Sequence, residues 1–321
     1  MGWLRKISLS FYVDGVHYRT YTSDGTRNTL QISFEVEKTS VGTPNESNII
    51  LTNASPDTKG VLLSLMNKQQ ITVELFAGYE DEGMTLVSQG NLIKLFPEKQ
   101  GSIDTFALTF LDAGSAITNS HLEMTFSKNA PLSIVVYELA KSFQKNDVKV
   151  DLTKINLEGT IGKRPYTVSG RTATILDQLA ENYRFTWSIQ DGVFQAYMDD
   201  KNQKKASQAV YKISLKERNL LKATPEIGEK YMQQTGMKIE AILNPKCKCM
   251  DIIDLESTVY PQYNGYYEIH TLSMKGGTKE ADWKMIIDSK SINDGLNTSS
   301  NYVRKYYQKY QEQMQESGLW I

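Results

Sequence analysis

The residues of this chain that could do chemistry are three histidines, two cysteines and scattered carboxylates, and their spacing argues against most of it. None of His17, His121 and His270 has a second histidine three or four residues away, which removes the helical zinc signatures. Each is expected to be an ordinary surface or strand residue. G-x-S-x-G, P-loop and G-x-G-x-x-G motifs are all missing, so hydrolase, NTPase and dinucleotide readings have no support. Glu80, Asp81 and Glu82 run into Gly83, which reads as a solvated hairpin turn. A glycosidase dyad needs two carboxyls held about 5 to 10 Å apart across a cleft. In Lys246-Cys247-Lys248-Cys249, a strand would place both thiols on one face beside lysines, where lowered thiol pKa values favour a soft metal or oxidation. A structural zinc needs four ligands and this chain offers two, so the pair is expected to be two small residues in a Lys-rich hairpin. No catalytic, cofactor-binding or metal-ligating residue is assigned, and the chain is expected not to be an enzyme and to use no cofactor. The basic cluster Lys201–Lys205 reads as a solvated loop.

The elements around these residues bound the possibilities further. With 321 residues, the chain is long enough for two to three domains of about 100 to 200 residues, each with a core. A net charge of −1, from 36 basic and 37 acidic residues, argues against a dedicated nucleic-acid or membrane-surface protein, which usually carries a basic surplus. Two cysteines are too few for a disulfide framework and suit a reducing cytosol. No segment approaches the roughly 18 apolar residues of a membrane span, and the opening MGWLRK lacks the form of a signal peptide.

From Leu4 to about Leu111 the pattern is nearly all strand. Ile7, Leu9 and Phe11 alternate with polar residues, Asp14-Gly15 makes a hairpin turn into His17–Tyr21, and Leu30, Ile32, Phe34 and Val36 form a half-buried strand. Asn48–Leu51 is a short strand. Ser55 caps a helix opened by Pro56 and carrying Val61, Leu62, Leu65 and Met66. Ile71, Val73 and Leu75 mark the next strand. After Gly114 the character changes. A helix runs from Ala130-Pro131 through Phe143 with Val135, Leu139 and Phe143 on one stripe, and Val148–Leu152 is a short strand. A second helix, Ala173 to Tyr183, is capped by Thr172, and Phe185–Gln190 and Val193–Tyr197 flank an Asp191-Gly192 turn. Val210–Leu215 opens the last domain as a strand, and 222–235 reads as a loop. Met237, Ile239, Ala241 and Leu243 alternate up to Asn244-Pro245. Ile252–Leu255 and Tyr266–Met274 are strands, and Gly276-Gly277 turns into Trp283–Ile287. An amphipathic helix with Tyr302, Val303, Tyr306, Tyr307, Tyr310 and Met314 on its apolar side covers about 299–316.

One ending occurs twice. GNLIKLFPEKQGSIDTFALTFLDAG (90–114) and GYYEIHTLSMKGGTKEADWKMIID (265–288) each show a Gly, an apolar strand, a polar turn, an Asp ahead of an aromatic residue, and a second strand ending in Asp112 or Asp288. They read as two copies of one hairpin. The expected fold is therefore α+β and mainly β: two related antiparallel β-barrel domains, 1–114 and 210–294, an α+β domain between them at 115–209, and a C-terminal helical tail at 295–321.

Three passages carry a resemblance: NIILTNASPDTKGVLLSLMNKQQITVELFAGYEDEGMTLVSQGNLIKL, LLKATPEIGEKYMQQTGMKIEAILNPKCKCMDIIDLES and YYEIHTLSMKGGTKEADWKMIIDS. In their order and spacing, over most of 30–290, the chain resembles the baseplate hub proteins of contractile-tailed bacteriophages and related tail-like particles. No motif in the resemblance is catalytic. The chain departs from that pattern where a glycine usually precedes the strand ending in LES, since Cys249-Met250 stand there, and where Met274 replaces the usual histidine. The resemblance implies a structural subunit of the virion tail, assembled in the host cytoplasm: a homotrimer whose duplicated barrels make a ring of six that joins a sixfold tail tube to a threefold central spike. Implied partners are the tail tube protein, the spike, other baseplate proteins and the tape measure protein, with DNA only in transit, no small-molecule substrate and no membrane insertion. The competing reading from the binding class is a β-barrel adhesion or glycan-binding module, for which Tyr260, Tyr263, Tyr266 and Tyr267 would supply the aromatic platform. A cell-wall hydrolase using Glu/Asp pairs is the competing enzyme reading.

Overall fold

The computed structural model describes residues 4–26, 30–68, 70–100, 103–198, 209–227, 234–259 and 261–292. The chain forms two compact units, the first from residues 1–200, 243–246 and 273–283, the second from 201–242, 247–272 and 284–321.

The first unit begins with β1 (Arg5–Val13), β2 (Val16–Ser23), β3 (Gln31–Thr39), β4 (Glu46–Thr52), α1 (Pro56–Leu65), β5 (Ile71–Tyr79), β6 (Gly83–Gln100) and β7 (Ile103–Leu111). Alternation decides which face each strand buries: Ile7, Leu9 and Phe11, Ile32, Phe34 and Val36, and Phe106, Leu108 and Phe110 all point into the core. The strands lie in the order β3-β4-β7-β6-β5-β1-β2, every pair antiparallel. Asp14 and Gly15, with φ 49° and 76°, supply the left-handed pair that a two-residue hairpin requires. The Ser55 hydroxyl accepts from the Thr58 N–H at 3.2 Å and starts α1. Leu62 and Leu65 are buried, and Met66 is the exposed C-cap. The expected barrel is open among the described residues, because β2 pairs only with β1 and ends the strand path.

The rest of the first unit holds α2 (Gly114–Asn119), β8 (His121–Phe126), α3 (Leu132–Ala140), β9 (Lys149–Asn156), β10 (Tyr166–Arg171), α4 (Thr172–Tyr183), β11 (Phe185–Gln190) and β12 (Val193–Met198). Two small sheets form, β10-β8 and β11-β12-β9, the last pair parallel. Val135, Leu139 and Phe143 are fully buried as expected, although α3 tightens into a 3-10 turn at Lys141–Asn146 before Phe143 is placed. Phe143 stacks on Trp187 and Trp187 on Phe194, with centroids 6.0 and 5.9 Å apart. Thr172 is not the cap of α4. It lies buried in the first turn, its hydroxyl 2.7 Å from that of Ser142, and Arg171 takes the N-cap position without a side-chain capping bond to the helix backbone.

The second unit contains β13 (Val210–Ser214), β14 (Leu220–Ile227), β15 (Gln234–Ile242), β16 (Ile252–Glu256), β17 (Gly265–Gly277) and β18 (Trp283–Ser291). Its order is β14-β15-β18-β17-β16-β13. Strand for strand in chain order, this repeats β3-β4-β7-β6-β5-β1. One pair differs, since β13 runs parallel to β16 whereas β1 runs antiparallel to β5. Residues 222–227 and 234–235, expected in a loop, belong to β14 and β15. Lys222, Thr224 and Glu226 lie on the exposed face of β14, an end strand held by the β15 ladder and by the buried Leu220.

The tip of the β17–β18 hairpin, 273–283, belongs to the first unit. There β17 neighbours β3, the Thr278 N–H donates to the Ile32 carbonyl at 3.4 Å, and Lys275 lies 3.6 Å from Glu35. Gly276 and Gly277, expected as the turn, stay in the strand, and the turn falls at 278–282. The reason is the Trp283 indole: a Cβ on Gly276 would stand 2.6 Å from a ring carbon. The expected helix at 299–316 and the Lys201–Lys205 cluster lie outside the described residues.

Candidate functional site

The groups best organised in this chain form a buried polar joint rather than a catalytic centre. In the first unit the β11–β12 turn, Asp191-Gly192, has φ 50° and 73°. It enters a cradle made by β3, β4 and the end of β7. The Asp112 carboxylate accepts the N–H of Asp191 at 2.6 Å and of Gly192 at 3.1 Å. The Lys38 ammonium donates to Asp191 Oδ1 at 2.6 Å, with side chains only 2% and 4% exposed. Asn45 completes the joint. Its Oδ1 accepts from the Thr39 N–H at 2.9 Å, its Nδ2 donates to the Ile189 carbonyl at 3.3 Å and to Gln190 Oε1 at 3.2 Å, and its carbonyl accepts from the Asp112 N–H at 2.9 Å. Gln190 Nε2 donates to the Thr39 carbonyl at 2.6 Å. Gly42 lets the Trp187 ring approach, since a Cβ there would fall 2.3 Å from it.

One ammonium facing two carboxylates leaves an uncompensated negative charge when all three are ionised. Burial above all, then the Asp191 charge, pushes Asp112 from the ordinary 3.8 up to about 7, against the pull of Lys38 and the two N–H donors. The folded state therefore holds the Asp112 proton more tightly than the unfolded chain. This group favours folding most below 3.8, and that contribution is lost as pH rises to about 7. The stability of the native chain minus that of Asp112→Asn, measured by urea titration, should fall as pH rises from about 4 to about 7. A flat or rising difference would contradict this assignment.

This joint was not foreseen, although a signal for it exists. The inward period Ile32, Phe34, Val36 lands next on Lys38, and Phe106, Leu108, Phe110 lands next on Asp112. Two strands thus bury a charge at the end of an apolar run.

The residues that the sequence offered for chemistry do not assemble. His17, on β2, lies 2.8 Å from the Thr20 hydroxyl. His121, on β8, donates to the Asn119 carbonyl at 3.0 Å. His270, on β17, is half-buried, and burial lowers its imidazole from the ordinary value. Glu80, Asp81 and Glu82 form the expected turn into Gly83. Cys247 and Cys249 lie in a loop rather than on a strand; both are buried and neither is in a disulfide. Burial first, then the Asp251 charge, pushes the Cys247 thiol well above its ordinary range, the opposite of an activated thiolate. No group of three or more His, Cys, Asp or Glu among the described residues is placed to hold a metal. Of the four tyrosines, Tyr267 is buried with its hydroxyl donating to the Tyr263 carbonyl at 2.7 Å, Tyr266 is exposed, and Tyr260 lies outside the described residues. Met250, where a glycine was the pattern, adopts φ 74°, so the left-handed turn is kept without the glycine that normally eases it.

A second built feature of the first unit is the seat of the 273–283 tip. Trp283 Nε1 donates to the Tyr79 hydroxyl at 2.8 Å, and that hydroxyl donates to the Leu243 carbonyl at 3.2 Å. The Arg5 guanidinium lies 5.2 Å from the indole centroid, and Phe34 meets it edge-on at 6.0 Å. Arg5 also donates to the Glu280 carbonyl at 2.6 Å.

The chain is similar in structure to the prophage MuSo2 43 kDa tail protein from Shewanella oneidensis, with a TM-score of 0.61 and 10% identity over 89% of this chain and 97% of that one. It is also similar to a tail protein from Neisseria meningitidis MC58, at 0.60 and 9% over 90% and 97%. A third similar structure is the E. coli c3393 protein, a component of the type VI secretion system, at 0.57 and 9% over 89% and 78%. At these identities the likeness shows the fold. No curated protein sequence matches the chain. The family model for baseplate hub gp41 matches residues 20–286, most of the chain, and the protein belongs to that family of phage tail structural proteins.

Proposed function

We propose that three copies of this chain form a ring at the end of a contractile phage tail, joining the sixfold tail tube to the threefold central spike and leaving a lumen for DNA. The observation that carries this reading is the repeated strand order, β3-β4-β7-β6-β5-β1 and β14-β15-β18-β17-β16-β13. A chain holding two kindred sheets offers six similar edges from three copies, which reconciles the two symmetries. In this reading residues 1–114 and 210–294 are the ring-forming domains, 115–209 is the middle domain, and 295–321 is a tail toward the middle domain or another baseplate protein. The partners are the tube above and the spike below, with other baseplate proteins and the tape measure protein beside them. The subunit assembles in the host cytoplasm and resides in the virion, and it performs no catalysis.

The test is co-assembly. The purified full chain, mixed with the tail tube protein and the spike trimer of the same phage, should co-elute with both at once on size exclusion. Failure to bind either, or competition between them for one site, would remove the proposal.

A further inference from the structure

The two halves of the repeat differ in one respect that points to a contact between copies. In the β17–β18 hairpin, β17 pairs with β16 only over Ile252–Leu255, opposite Gly265–Glu268, and its distal part lies beside β3 in the first unit. The β6–β7 hairpin has the same construction. β6 pairs with β5 only as far as Asn91, opposite Thr72, while from Leu92 to Gln100 it pairs with β7 alone. Among the described residues no strand takes the other edge of that distal half. β14, which holds in its unit the place that β3 holds in the first, likewise has β15 as its only neighbour among the described residues.

From this we infer that the open edge of β6, Leu92–Gln100, pairs with β14 of a second copy of this chain, repeating between chains the β17–β3 contact made within one. This deepens the ring reading and rests on it. The two edges are different surfaces, so the contact is head-to-tail and three copies can close it into a ring.

The side chains suit such a contact. Ile93 and Phe96 on the β6 segment are 52% and 45% exposed, and Leu221 on β14 is 54% exposed. These are large apolar groups at an edge that water would otherwise solvate poorly. Both strands carry both signs of charge, Lys94, Glu98 and Lys99 on one, Lys222 and Glu226 on the other. Pro97 and Pro225 each remove one N–H donor, which shortens the possible ladder and guards both edges against indiscriminate strand addition.

The test uses the full chain carrying Phe96→Cys and Leu221→Cys together, treated with a flexible bis-maleimide and run on a denaturing gel. The native cysteines are buried, and the unsubstituted chain serves as the control. The double variant should give covalent dimers and trimers, while each single variant, having its thiol at only one of two unlike edges, should give none above control. Phe96→Asp should in parallel lower the trimer fraction at least tenfold at a fixed concentration with the thermal midpoint of the monomer unchanged. If the chain is trimeric, yet the double variant cross-links no better than the singles and Phe96→Asp still trimerises, this edge pairing is wrong and the ring stands. If the native chain stays monomeric at every concentration, both fall.

Discussion

Replacing Lys38 by methionine should destabilise the first unit by about 3 to 5 kcal/mol near pH 8, because it leaves buried carboxylates without their cation. The stem of methionine fills much of the lysine volume, so the loss reports charge more than a cavity. Asp191 then loses its 2.6 Å partner while Asp112 stays buried beside it. Acid should soften the loss, since protonating Asp112 removes one of the two negative charges. Near pH 5 the variant should recover a substantial part of the difference. Urea titration at the two pH values reads this directly, and an equal loss at both would mean that Lys38 acts only through its packing.

The second large effect is expected at Trp283. Trp283→Ala should cost about 3 to 5 kcal/mol, as for other buried aromatic truncations. The change removes the ring that Gly276 makes room for, the edge contact with Phe34, the cation–π contact with Arg5 and the hydrogen bond to the Tyr79 hydroxyl. Trp283→Phe should lose distinctly less, because it keeps an aromatic body and forfeits chiefly the indole N–H bond. Chemical denaturation separates the two variants. A loss below about 1 kcal/mol for Trp283→Ala would show that the 273–283 tip is held by its backbone and not by this seat.

Much of the sheet was legible because the side chains alone decide it. Ile32, Phe34 and Val36 bury one face wherever β3 sits, and Asp191-Gly192 makes the same left-handed turn in almost any setting. What stayed hidden depends on distant residues. Gly276 and Gly277 look like a turn until the Trp283 ring explains why a strand must carry glycine there. β14 lacks an apolar alternation because it is an end strand, so composition marks it as a loop. Thr172 has the chemistry of a cap, yet Ser142 and burial claim its hydroxyl. The polar joint was the least visible, since Lys38 and Asp191 lie 153 positions apart and Asp112 and Asp191 lie 79 apart. Only the topology brings them together. The repeated hairpin was readable as text, whereas the fuller repeat of strand order emerges from pairings that link residues far apart in sequence.

The measurement that bears most directly on the ring is the native mass of the purified full chain at micromolar concentration. Three copies of the 36.4 kDa chain are expected, with a threefold axis in projection images of the same sample. A mass of one copy that persists as concentration rises, or a closed assembly of two, would contradict it.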